Sequence, residues 1–178
     1  HRWLVCTPSA RLEESFPETT SSAAEEGTLA HELAELKLRH YFYTTDVGKQ
    51  KYSRRLNKLK KEDLWQDEMD RYTEDYLDYI KCTALNLKVQ PYVEIEKKLD
   101  LTEWIPEGFG TSDCTLVYSD TVHVIDFKYG KGVQVDAEKN PQMMLYALGA
   151  YAAYRMLYPV KKVKMTIFQP RIDHVSEW

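Results

Sequence analysis

The stretch that most constrains this chain runs from Gly110 to Lys128, Gly-Thr-Ser-Asp-Cys-Thr-Leu-Val-Tyr-Ser-Asp-Thr-Val-His-Val-Ile-Asp-Phe-Lys. Residues 114–118 and 121–127 are rich in Val, Ile, Thr, Tyr and Phe, with Ser119-Asp120 as a polar break between them. That is the pattern of two strands joined by a tight turn. With a two-residue loop, Tyr118 faces Thr121, Val117 faces Val122, Thr115 faces Val124, and Asp113 faces Asp126. Opposed residues share a face of the sheet, with Cβ atoms roughly 4.5–5.5 Å apart. Two carboxylates that close repel each other, and a hard divalent cation between them removes the objection. Period two then puts Lys128 on the face of Asp126 and turns Phe127 to the other side.

Two carboxylates and one ammonium are the minimum set for metal-assisted cleavage of a phosphodiester. The carboxylates hold the metal, which neutralises phosphate charge and lowers the pKa of a bound water. Lys128 can orient or help deprotonate that water, or meet the phosphate as a point charge. The competing reading is a solvent-exposed hairpin end with scattered charges.

Around the hairpin the pattern is mixed. Residues 1–16 suggest a short helix after Thr7-Pro8, and Glu18 to Ser22 is a polar linker. Ser22 with Glu25 fits a capping box. A helix is predicted from there to about Tyr43, with Leu29, Leu33 and Leu36 as its core stripe and His31 off that stripe, near Glu35. Lys49, Lys51, Arg54, Arg55, Lys58, Lys60 and Lys61 make a basic stretch with no acidic residue in it. It reads equally as a solvated surface and as a phosphate-tracking patch. Trp65, Met69, Tyr72, Tyr76 and Tyr79 mark an amphipathic helix to about Leu87. Pro91 to Leu101 alternates as a strand with one wet side, and Glu94 is a candidate neighbour of the metal. The span 102–110 is a loop, and Tyr129-Gly-Lys131-Gly is a turn whose Lys131 is a minor candidate for phosphate contact. A long helix is predicted over Glu138 to Tyr158 with Pro141 near its start. Gln142 and Tyr146, four apart, share a face of it. Val160 to Phe168 reads as a half-buried strand.

The Gly110-x-x-Asp113, Asp126-x-Lys128 and Gln142-x-x-x-Tyr146 motifs, in that order, resemble the PD-(D/E)XK nuclease superfamily in its RecB-like exonuclease branch. Gly27-Thr-Leu-Ala-His31-Glu is similar to that branch's upstream helix, whose His is a metal ligand. The likeness spans roughly residues 1–170. The first Asp sits in Thr-Ser-Asp rather than Pro-Asp. The resemblance implies a restriction-endonuclease-like α/β core, a mixed central sheet flanked by helices. It implies metal ligation by His31, Asp113 and Asp126, catalysis by Asp113, Asp126 and Lys128, and a place for Gln142 and Tyr146 beside bound DNA. The implied activity is a Mg²⁺-dependent DNA nuclease, with Mn²⁺ as a substitute, of phage or bacterial recombination type and with a phage recombination protein as a partner. Some members hold an iron–sulfur cluster through a Cys placed like Cys6. Cys82 and Cys114 are the only others here, so no such cluster is expected and Cys6 reads as a small buried residue. The alternatives are a catalytically degenerate DNA-end-binding module and a metal-dependent hydrolase of a small phosphorylated substrate.

Composition sets the outer bounds. A chain of 178 residues with 43% hydrophobic and 29% charged content suits one domain. Its helical part is expected over about 1–88, with the catalytic sheet and helix over about 89–170. The net charge of −4 does not advertise a nucleic-acid binder, so contact must come from a local patch. The odd, scattered cysteines suggest a reducing, cytoplasmic setting without disulfides. No apolar run is long enough for a membrane span. The chain opens at His1 without a Met, as a portion of a longer protein would.

Overall fold

The computed structural model describes residues 21–178. The expected helix over 1–16, the linker up to Ser21 and the reading of Cys6 lie outside the described residues or at their edge. Helix α1 (Ser22–Phe42) is followed by α2 (Lys49–Leu59) and α3 (Asp67–Leu85). Strand β1 (Tyr92–Asp100) leads to the hairpin of β2 (Phe109–Tyr118) and β3 (Thr121–Phe127). Helix α4 (Pro141–Tyr154) crosses over to β4 (Lys162–Gln169), and a 3₁₀ turn (Pro170–Ile172) leads to β5 (His174–Glu177). The sheet order is β1-β2-β3-β4-β5, antiparallel except for the parallel pair β3–β4 that α4 connects. This is the expected α/β class, a mixed sheet with helices on both faces.

The hairpin register is the one that a two-residue turn dictates. Tyr118 pairs with Thr121, Val117 with Val122, Thr115 with Val124, and the ladder closes at Cys114–Ile125. Ser119 takes the left-handed conformation that such a turn requires, at φ 49°. The expected Asp113–Asp126 pair would be the next rung, but the ladder stops short of it and Asp113 instead accepts from Phe127 N.

Each face of the sheet carries its own core. On one, Leu33 and Leu36 of α1 and Met69, Tyr76 and Ile80 of α3 pack on Ile95, Leu116 and Phe127. On the other, Met143, Ala147 and Ala150 of α4 pack on Leu99, Val117, Val122 and Val124. Buried Lys37 ties α1 to α3 through Asp70 at 2.7 Å and Glu74 at 3.0 Å. Burying a charge is tolerable only when it is paired in this way. No helix among the described residues is long and apolar enough to cross a membrane.

Several boundaries differ from those the sequence suggests. The α1 cap is Ser21, whose Oγ accepts from Ala24 N at 3.2 Å, one residue before the expected Ser22. Helix α4 is shorter than 138–158. Asn140 caps its start by accepting from Gln142 N and Met143 N. Pro159 disfavours helical backbone at Tyr158. Strand β5 was not anticipated, since four residues containing His, Ser and Glu give no readable period. The basic stretch forms α2, with Tyr52, Leu56 and Leu59 turned to the core and the cations mostly exposed.

Candidate metal and catalytic site

Strand β1 does not alternate evenly. Val93 and Ile95 lie in the α1–α3 core, yet Leu99, of the same parity, lies in the α4 core. The pairing of β1 with β2 runs in one register throughout, but the rung between Ile95–Cys114 and Lys97–Ser112 is missing. That rung is Glu96–Asp113, and Glu96 sits at φ 51°. A non-glycine residue there costs roughly 1–3 kcal/mol. The same break appears across the rung. Cys114 belongs to the α1 side, while Gly110, of the same parity, lies against Tyr146 of α4. The local reversal brings Glu96 and Asp113 together beside His31 of α1.

His31 Nδ1 lies 3.3 Å from Asp113 Oδ1. The other Asp113 oxygen accepts from Phe127 N at 2.7 Å, which anchors the carboxylate at the end of the β2–β3 ladder. The His31 ring meets Phe127 edge-on at 5.3 Å between centroids. On β3, Lys128 Nζ donates to Asp126 Oδ1 at 3.1 Å and to Gln142 Oε1 at 3.2 Å. Gln142 Nε2 donates to the Tyr146 hydroxyl at 2.9 Å. Tyr146 in turn needs Gly110: a Cβ there would lie 2.5 Å from its ring. The motif residues Gly110, Asp126, Lys128, Gln142 and Tyr146 thus form one connected relay, and Asp113 with His31 stands beside it.

The charges are strained. Burial, then the Asp113 charge, pushes Glu96 up to about 7. Burial and Asp113 also push Asp126 up to about 6, against the opposing pull of Lys128 and His31. Burial disfavours the imidazolium of His31, but the hydrogen bond and charge of Asp113, then Asp126 and Glu96, outweigh it and raise its pKa. Burial likewise disfavours the Lys128 ammonium, and Asp126 outweighs it, so Lys128 stays protonated at neutral pH.

This donor set fits a hard divalent cation. One atom each from His31, Glu96 and Asp113 lie within 4.8 Å of one another. Asp126 Oδ2 is buried 2.9 Å from Lys128 Nζ, yet it accepts no well-aligned hydrogen bond among the described residues. Carboxylate oxygens with one imidazole suit Mg²⁺ or Mn²⁺. The residues that can hold the ion are His31, Glu96 and Asp113, with Asp126 on the adjacent strand.

Glu96 is the member that sequence reasoning missed. The residue weighed instead, Glu94, accepts from Tyr92 Oη at 2.5 Å and pairs with Lys97 at 3.0 Å, away from His31. Lys131 is exposed in the connection between β3 and α4. A cleft of about 660 Å³ lined by Tyr41, Tyr43, Lys81 and Tyr92 contains none of the site residues.

Residues 1–178 match the model of a family described as a protein of unknown function (DUF2800), and the chain belongs to that family.

Two outcomes follow from the strain. Groups whose pKa is raised on folding bind extra protons in the native state, so stability falls as pH rises through their folded values. For Glu96 that contribution is lost as pH rises from its ordinary 4.5 through about 7, and for His31 as pH rises above 6.5. Buried His123, pushed down to about 3, acts with the opposite sign between that value and its ordinary 6.5, and so opposes Glu96 over much of the range. In EDTA the melting temperature of wild type relative to Glu96→Gln should fall from about pH 4.5 to 7 and level off above, and added Mn²⁺ should lift the alkaline end most. A difference between the two proteins that does not change with pH would exclude the strained carboxylate.

Replacing Glu96 by Gly removes both the like charge and the left-handed penalty, since glycine adopts that conformation freely. Glu96→Gly should therefore melt no lower than wild type in EDTA, and up to several degrees higher, while calorimetry shows Mn²⁺ affinity reduced by about tenfold or more. Lower stability with unchanged Mn²⁺ binding would assign Glu96 a purely structural part.

Proposed function

We propose that this protein is a metal-dependent deoxyribonuclease of the PD-(D/E)XK superfamily, in its RecB-like branch, and that it hydrolyses phosphodiester bonds with Mg²⁺, or Mn²⁺ in its place. The single observation that carries the reading is the convergence of Asp113, Asp126 and Lys128 on adjacent strands with His31 from α1. The mixed sheet with helices on both faces agrees with the core of that superfamily. An exonuclease of phage or bacterial recombination type is the branch's usual form, and the same motifs favour it here.

When bound, the cation would neutralise phosphate charge and make a water acidic enough to attack. The chain's own residues do the rest. Lys128 remains an ammonium, so its part is to donate to the attacking water or to a phosphate oxygen, where negative charge grows in the transition state. Asp126 and Gln142 fix its direction with two hydrogen bonds. Gln142 is largely spent on this positioning, which leaves the Tyr146 hydroxyl proton available for a phosphate oxygen.

The exposed cations of α2 support a polyanionic substrate. Arg55 lies 3.9 Å from Glu35, which is one helical turn from His31 on α1. Arg54, Lys58 and Lys61 carry no ion pair among the described residues. A basic face therefore begins one turn from the metal ligand, in a chain whose overall charge is negative.

The test is cleavage of linear and circular DNA by pure protein with Mg²⁺, with Mn²⁺ and with EDTA. Activity should require the metal. Lys128→Ala should lower turnover by roughly 10²–10³-fold with far less change in substrate affinity, by analogy with other transition-state contacts. Metal-dependent binding without cleavage would favour a degenerate DNA-end-binding module. Cleavage unaffected by EDTA or by Lys128→Ala would exclude the assigned site.

A further inference from the structure

Beyond the Glu96–Asp113 rung the β1–β2 ribbon continues through Lys98–Thr111 to Asp100–Phe109. Strand period two puts Lys98, Thr111 and Phe109 on the face that carries Glu96 and Asp113. Lys97, Leu99 and Gly110 take the other face, where Leu99 and Gly110 pack against α4. Among the described residues nothing covers the outer part of this face. Lys98, Thr111 and Phe109 are exposed, Phe109 by 65%. Phe127 and Phe168, by contrast, are buried in the core. Lys98 Nζ stands 4.2 Å from the centre of the Phe109 ring. From Asp113 to Phe109 the strand spans about 13 Å.

This segment is also anchored to the catalytic relay. Gly110 follows Phe109 and gives Tyr146 its seat, and Tyr146 is hydrogen-bonded to Gln142, which holds Lys128. The backbone that carries Phe109 is therefore anchored to the relay by packed groups.

We propose that Phe109, with Lys98 beside it, is a stacking platform for an unpaired base of a single-stranded nucleic-acid segment leading away from the Asp113–Asp126–Lys128 site. The proposal rests on the nuclease reading and narrows its substrate to an end or strand with at least one base out of the duplex. An exposed ring accepts the face of any base, and an adjacent ammonium meets the neighbouring phosphate. A paired base inside a duplex has both faces covered by its neighbours, so away from its ends duplex offers the ring nothing to stack on. A second copy of the chain is the competing occupant of such a patch. The ammonium held against the ring favours the nucleic acid.

The experiment uses the Lys128→Ala protein with Mg²⁺, so that cleavage is slow against the measurement. Fluorescence anisotropy compares a labelled oligothymidylate with a labelled blunt-ended hairpin duplex. Adding Phe109→Ala should weaken the single strand by about 10–100-fold and the duplex by less than about twofold. Phe109→Trp should restore single-strand binding, and melting temperatures of all the variants should agree closely, since the ring is exposed. Equal losses on both DNAs, or no loss on either, would overturn the platform. So would a self-association seen by sedimentation that Phe109→Ala abolishes while DNA binding is unchanged. If protein with native Phe109 and Lys128 neither binds nor cuts any DNA, the nuclease reading falls and the platform with it. If it cuts but Phe109→Ala binds single strands normally, only the platform falls.

Discussion

The site depends on one irregularity in an otherwise regular sheet, the missing rung between Glu96 and Asp113. Had β1 kept its alternation, Glu96 would follow Glu94 to the α4 side of the sheet, since Ile95 faces the α1–α3 core. The left-handed turn at Glu96 reverses the strand and sends the carboxylate toward α1, where His31 stands. The cost of that turn is borne by the two cores, which clamp the strand on both sides of it through Ile95 and Leu99. Strain of this kind survives only where its surroundings over-determine it, and it concentrates at functional positions.

Electrostatics gives the same picture by a separate route. Glu96, Asp113 and Asp126 occupy neighbouring strands, and burial has taken most of the water from Asp126. Lys128 compensates Asp126, and His31 compensates Asp113. Glu96 has no hydrogen-bonded partner among the described residues, and burial and the Asp113 charge push its carboxyl up to about 7. A divalent cation at this point would answer the repulsion that the fold otherwise has to hold. The Lys128–Gln142–Tyr146 relay is already satisfied without it. The relay is therefore preorganised, while the ligand set is held against its own repulsion.

The hairpin was legible because its turn has only two residues, which ties the register of β2 to that of β3. That register alone made Asp113 and Asp126 neighbours. The helices could be read from their apolar spacing, and Gln142 and Tyr146 from their four-residue interval. Glu96 was not legible, for two reasons. An eight-residue connection separates β1 from β2, so no turn rule sets their register. Period-two reasoning also assumes even alternation, and the break at Glu96 is the exception to it. Gly110 was visible as part of a motif, but its reason, the ring of Tyr146 in the space of its Cβ, needs the packed helix. Strand β5 is the edge of the sheet and pairs only with β4, and its short polar sequence carries no period.

The most direct measurement is electron spin echo spectroscopy of the Mn²⁺-loaded protein. One bound Mn²⁺ should show coupling to a directly ligated imidazole nitrogen, and the coupling should vanish in His31→Gln while bound manganese remains detectable at higher concentration. Bound Mn²⁺ without nitrogen coupling, or coupling that persists in His31→Gln, would contradict a cation seated between α1 and the Glu96–Asp113 rung.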